Sequence, residues 1–160
     1  MRAIGLDLGS KRIGVALSTS DGTLATPYEV VQRSGDRQRD HRRIKELAEE
    51  AEAEIIVVGL PLHLDGRLSE SAKRAIAESE ELRVTTGLPV ETYDERLTTV
   101  TAQRSLQELN LSPAARKRAI DQVAAAVMLQ AWLDRRRTLA APESEPEGDD
   151  FPQPSPEQDL

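Results

Sequence analysis

Arg2-Ala3-Ile4-Gly5-Leu6-Asp7-Leu8-Gly9-Ser10-Lys11-Arg12-Ile13-Gly14-Val15-Ala16-Leu17 decides the fold. Two apolar runs, 2–8 and 13–17, flank the short turn Gly9-Ser10-Lys11. Strands joined that tightly pair antiparallel. Ser20-Asp21-Gly22-Thr23 carries the Asp-Gly turn signal, and residues 24–33 alternate loosely around Pro27, which suits an edge strand. The first third therefore reads as a three-stranded antiparallel meander.

The periodicity then changes. Residues 37–53 put Ile44, Leu47, Ala48 and Ala51 on one face of a charged helix. Glu54-Ile55-Ile56-Val57-Val58 reads as a buried strand that Gly59-Leu60-Pro61 ends. Residues 69–84 place Ala72, Ala75, Ile76 and Leu82 at helical spacing, and Gly87 stops them. A strand over 89–93 follows, then a short helix over 98–109. Ser112-Pro113 supplies an N-cap and a first-turn proline for a helix reaching about Arg136. Connections this long mean parallel pairing. The expected fold is α/β: a mixed five-stranded sheet, with the meander fused to a parallel half and helices packed on it.

Composition narrows the chemistry. The chain has 160 residues, room for one domain with a substantial core. There is no cysteine, which excludes disulfides, thiolate metal sites and cysteine nucleophiles, and only His41 and His63 could supply imidazole. No apolar run approaches a membrane span and no signal-peptide core is present, so the expected setting is cytoplasmic, away from membranes. The net charge of −7 comes from one end. Of 28 acidic side chains, seven lie in residues 138–160, which have no Lys or Arg; the other 137 residues balance 21 acids against 21 bases. That segment also holds five prolines and few aliphatics, and reads as a disordered acidic tail behind a domain of residues 1–137. An acidic pI thus says nothing against nucleic acid as a partner of the domain.

At three points of the chain, carboxylates stand in unfavourable places. Asp7 interrupts an apolar strand, Asp94-Glu95 closes another, and Asp121 lies on the apolar stripe of Ala124, Ala125, Met128, Leu129 and Trp132. Singly, each has a structural reading: a turn, a helix cap, a surface pair, a buried ion pair. Jointly, the topology can bring all three points to one side of the sheet. Converging carboxylates without histidine or cysteine suit a hard, oxygen-seeking cation, Mg2+ or Mn2+. Other motifs fail. Gly5 to Lys11 lacks the spacing of a phosphate loop, and neither a dinucleotide fingerprint nor a nucleophile elbow is present. His41, within Arg39-Asp40-His41-Arg42-Arg43, reads as part of a solvated helix face. His63 follows a strand's C-terminal end, where open sheets place sites. Trp132 reads as core, and Arg135-Arg136-Arg137 as a solvated helix end.

Four segments carry a family resemblance: residues 5–16; Ile56-Val57-Val58-Gly59-Leu60-Pro61 with Asp65-Gly66; Tyr93-Asp94-Glu95-Arg96-Leu97-Thr98-Thr99; and Ile120-Asp121-Gln122-Val123-Ala124-Ala125. Their order over residues 2–133 resembles the YqgF/RuvX family of Holliday-junction-resolvase-like proteins, which have the ribonuclease H-like fold. The resemblance implies a nuclease for the 5′ end of pre-16S ribosomal RNA, with Holliday-junction resolution and a non-cleaving assembly factor as the alternatives. It implies Asp7 as first metal ligand, Asp121 as last, and Glu95 as the middle acid with Asp94 as competitor. Related resolvases take the middle acid from the fourth strand; here Gly59-Leu60-Pro61 ends that strand, and the acid comes from the fifth.

The implied chemistry is consistent. Two divalent ions activate a water and stabilise the leaving oxygen of a phosphodiester. Basic groups neutralise the backbone, and the candidates are Lys11, Arg12, Arg96, Arg116, Lys117 and Arg118. The expected partners are structured RNA and branched DNA, with a homodimer left open.

Overall fold

The computed structural model describes residues 1–62, 65–97 and 113–140, with side chains of the last helix from 123 to 139. His63, the short helix expected over 98–109, Ser112 and the acidic segment beyond Ala140 lie outside the described residues.

The meander forms as the sequence dictates: β1 (Ala3–Leu8), β2 (Arg12–Ser18) and β3 (Ala25–Gln32). After α1 (Arg37–Glu50) come β4 (Ile55–Leu60), α2 (Glu70–Thr86), β5 (Val90–Asp94), a single 3-10 turn (Glu95–Leu97) and α3 (Pro113–Ala140). The sheet order is β3-β2-β1-β4-β5. β1 pairs antiparallel with β2 and parallel with β4, and β4 pairs parallel with β5. The mixed five-stranded sheet is thus the expected one, with β1 central.

Both early helices start on side-chain caps. Asp36 accepts the amides of Gln38 and Arg39, and Ser69 accepts that of Ala72. α3 starts at Pro113, where a first-turn proline fits, and runs three residues past Arg137. Among the described residues no helix is long and apolar enough to cross a membrane.

Strand alternation sorts the core into two layers. Ile4, Leu6, Ile56 and Val58 face α1 and α2, packing with Ile44, Leu47 and Leu82. Ala3, Ala16 and Val57 face α3, against Ala125, Met128, Leu129 and Trp132. Ala3, Gly5 and Ala16 are small, and the helix comes close over Gly5. A Cβ built on Gly5 would stand 2.9 Å from Leu129 Cβ, nearer than side chains tolerate. Gln130 fastens α3 to the hairpin: its Oε1 accepts the Ala25 amide and its Nε2 donates to the Thr23 carbonyl.

Three departures from expectation concern α1, α2 and β4. His41 is 1 % exposed, not solvated, and Ile76 is 37 % exposed, not core. β4 continues through Gly59 and Leu60, two residues past its expected stop, because Gly59 still pairs with Tyr93 and Leu60 with Asp94.

Candidate active site

The C-terminal ends of β1, β4 and β5 lie at one edge of the sheet, as parallel pairing requires. Asp7 is half-buried on β1. By the two-residue period it shares the α3 side with Ala3 and Gly5. Its strand partner is Gly14.

Glu95 opens the 3-10 turn just beyond β5 and folds back over the neighbouring strand. Its carboxylate sits above Gly59: a Cβ there would meet Glu95 Oε1 at 2.6 Å. Gly59 is therefore the notch that receives this side chain. Parallel register places Gly59 beside β1, in line with Asp7, since Gly5 pairs with Val57 and Leu6 with Val58. The two acids feel each other. Burial, then the charges of Asp7 and Asp94, push the Glu95 carboxyl up from 4.5 to about 7. An acid raised by neighbouring anions in this way fits a divalent cation, which would reverse the balance.

Asp94 is differently engaged. Both its oxygens take hydrogen bonds from the Arg96 guanidinium, and Oδ1 also accepts the Arg96 amide at 2.9 Å. The Arg96 side chain holds its carboxyl below the usual carboxylate range. Arg96 in turn lies beside the Asp65-Gly66 turn: its Nη1 would be 3.5 Å from a Cβ on Gly66, and it feels the Asp65 charge. Arg96, expected to contact nucleic acid, is thus occupied in joining two loops, and Asp94 is occupied with it.

The remaining candidates divide by location. Lys11 is exposed on the β1–β2 turn, and Arg12 starts β2, half-buried. Asp121 and Arg116, Lys117 and Arg118 have backbones in α3, but their side chains lie outside the described residues. The register of α3 can be followed. Arg136 approaches Met1, while Ala125 and Leu129 lie over Gly5, so the helix runs antiparallel to β1. One more turn toward the N-terminus, about 5.4 Å, matches the roughly 6.6 Å from Gly5 to Asp7. Among the described residues no three His, Asp or Glu side chains gather as metal ligands. The described part of the expected set is the pair Asp7 and Glu95.

Sequence reasoning missed a second charged cluster, on the opposite face. Glu78, 3 % exposed on α2, accepts two hydrogen bonds from the Arg33 guanidinium and one from His41 Nε2, at 2.7–2.9 Å. Burial would push its carboxyl up, but the His41 and Arg33 hydrogen bonds and charges hold it down at about 2. Arg33 also donates its Nε to the Gly9 carbonyl at 2.7 Å and its amide to the Lys11 carbonyl. The cluster thereby fixes the turn that follows Asp7. A signal existed: His41 lies on the Ile44–Ala48 stripe, and Glu78 on the Ala75–Leu82 stripe.

Comparison with known proteins fits this architecture. A family model described as "RuvX: Holliday junction resolvase" matches residues 1–135. A relative from Mycobacterium sp. (strain KMS), named "Putative pre-16S rRNA nuclease", is 50% identical over 143 residues, 88% of this chain and 85% of that protein. One of the same name from Mycobacterium tuberculosis (strain ATCC 25177 / H37Ra) is 48% identical over 151 residues, 93% of this chain and 86% of its own. Among solved structures, "T. thermophilus RuvC in complex with Holliday junction substrate" superposes with a TM-score of 0.61 at 18% identity, covering 86% of this chain and 96% of that one. At that identity the likeness speaks to the fold, which is ribonuclease H-like.

Proposed function

Because the chain belongs to the RuvX family, we propose that it is a metal-dependent nuclease that hydrolyses phosphodiester bonds of precursor 16S ribosomal RNA at the 5′ end. One observation carries the reading: the Glu95 carboxylate is seated over Gly59, beside the strand that bears Asp7. Two carboxylates held together at the open end of a parallel sheet make a hard-cation site. The names of the curated relatives supply the substrate class.

Asp7 and Glu95 would hold Mg2+ or Mn2+, with Asp121 as the third acid; the helix register supports its inclusion. Bound there, the metal would neutralise the acids, activate water and stabilise charge on the leaving oxygen. The protein's own part is positional. Asp94 and Arg96 brace the turn that aims Glu95. Arg33 braces the turn behind Asp7. Lys11 and Arg12 would meet the nucleic-acid backbone, and Arg116, Lys117 and Arg118 would extend that contact.

The family's description favours a second substrate, branched DNA. Purified protein incubated with a pre-16S RNA fragment and with a four-way DNA junction, with Mn2+ or chelator, tests both. Metal-dependent cleavage of the RNA is the expected result. Cleavage of the junction alone would reverse the substrate assignment, and cleavage of neither would leave a binding protein.

A further inference from the structure

The face of β1 opposite to Asp7 carries a basic hollow. Two adjoining cavities, about 270 and 410 Å³, share Ser10, Arg33 and Arg37. The smaller is also lined by Ser71 and Arg74 from the first turns of α2, the larger by Lys11. Four cations thus converge from the β1–β2 turn, the end of β3, α1 and α2.

Two acids also line this hollow, and both are occupied. Glu78 is held by Arg33 and His41. Asp40, 4 % exposed, accepts the Ser34 amide with both oxygens. Arg37 reaches the exposed Glu81 at 3.1 Å and lies 3.8 Å from Glu78. Lys11 and Arg74 have no acid partner within ion-pair distance among the described residues, and both are exposed. The hollow is therefore net positive, concave and walled by a packed core, conditions that concentrate anions. Arginine forks with hydroxyl groups beside them suit phosphate oxygens in particular.

The location gives the site its meaning. Leu8 follows Asp7 and packs toward α1 and α2, so the hollow and the carboxylate pair occupy opposite faces of the same strand end. A strand crossing the open edge of the sheet can present one phosphate to each. We propose that Lys11, Arg37 and Arg74, with Ser10 and Ser71, form a second phosphate-binding subsite that grips the nucleic-acid backbone a few nucleotides from the scissile bond. The inference rests on the nuclease reading for the identity of its ligand. Arg33 is a positioning residue here, since its guanidinium is committed to Glu78 and Gly9.

Binding, measured apart from cleavage, tests it. In full-length protein carrying Asp7→Asn, a fluorescent pre-16S RNA fragment is titrated by anisotropy at several salt concentrations. Arg74→Ala and Lys11→Ala are each expected to weaken binding severalfold and to lower the slope of log K against log[salt] by about 1. Melting temperatures should hold, and Lys45→Ala, on the exposed face of α1, should change neither quantity. In the parent background the same variants should raise KM and leave kcat unchanged. An unaltered salt slope in both variants overturns the subsite. Inorganic phosphate alone is the second arm. If millimolar phosphate raises the melting temperature through Arg74 while the RNA salt slope stays fixed, the hollow takes a free anion and the backbone grip is overturned. If Asp7→Asn protein binds no RNA at all, both the subsite and the RNA reading fail, whereas binding with an unchanged slope fails the subsite alone.

Discussion

Glu78 and Glu95 are two glutamates drawn out of water on opposite faces of one sheet. Burial pushes the carboxyl of each in the same direction, upward. Their neighbours then separate them. Arg33 and His41 meet Glu78 and hold its carboxyl at about 2. Asp7 and Asp94 face Glu95 and help push it to about 7. The first acid is satisfied within the fold and fixes three elements to each other. The second is costly to the fold as it stands, and a cation from outside would relieve it. A buried acid with cations around it is architecture; a half-buried acid with anions beside it points to a ligand.

Substitutions should divide along that line. The largest effect is expected on the Glu95 side and in activity. Asp7→Asn should cut metal-dependent cleavage by roughly a thousandfold or more while the melting curve holds. Full cleavage by a clean preparation of this variant would move the active centre elsewhere. On the Glu78 side the loss should appear in stability. Glu78→Ala leaves Arg33 and His41 facing a buried gap, at a cost of about 3–5 kcal/mol in urea unfolding. A change below 1 kcal/mol would show that water replaces the carboxylate and that the cluster is not structural.

Gly59→Ala probes the notch alone. Its Cβ would displace the Glu95 carboxylate, and a shift near 1 Å in a reacting group can cost about a hundredfold in rate. Cleavage should fall by roughly ten- to a hundredfold, with the Asp7 side untouched. Unchanged turnover would mean that the position of Glu95 is immaterial.

The smallest effect is in pH dependence, and the two acids give opposite signs. For Glu95 the folded carboxyl keeps its proton to about 7 and the unfolded one only to 4.5, so stability in chelator falls as pH rises between these values. For Glu78 the stabilisation is full above 4.5 and is lost as pH falls toward about 2. Glu95→Gln should therefore stabilise the chelated protein at pH 8 by about 1–2 kcal/mol, after allowance for partial exposure. Saturating Mg2+ should erase that gain. A gain that persists in Mg2+ would remove the metal from the account.

The sheet was legible because its signals are local. Short turns fix the antiparallel half, and long helical connections fix the parallel half. Gly59 was misread because Gly-Leu-Pro resembles a strand end, whereas glycine within a strand marks a close approach, here by Glu95. His41 was misread because charged neighbours surround it, and its partner Glu78 lies 37 residues away, beyond any local pattern. Asp94 and Glu95 are adjacent, so periodicity alone could not choose between them. The guanidinium of Arg96 separates them by occupying Asp94.

The antiparallel run of α3 over β1 also bears on how the molecule is made. The first strand to leave the ribosome is central to the sheet, yet one of its faces stays bare until Ala125 and Leu129 have emerged. Contacts between residues this far apart are late and slow to form. Asp7 is present from the start, but Glu95 joins it only when β5 has been added beyond β4. A nascent chain stalled short of that point carries half of the carboxylate pair.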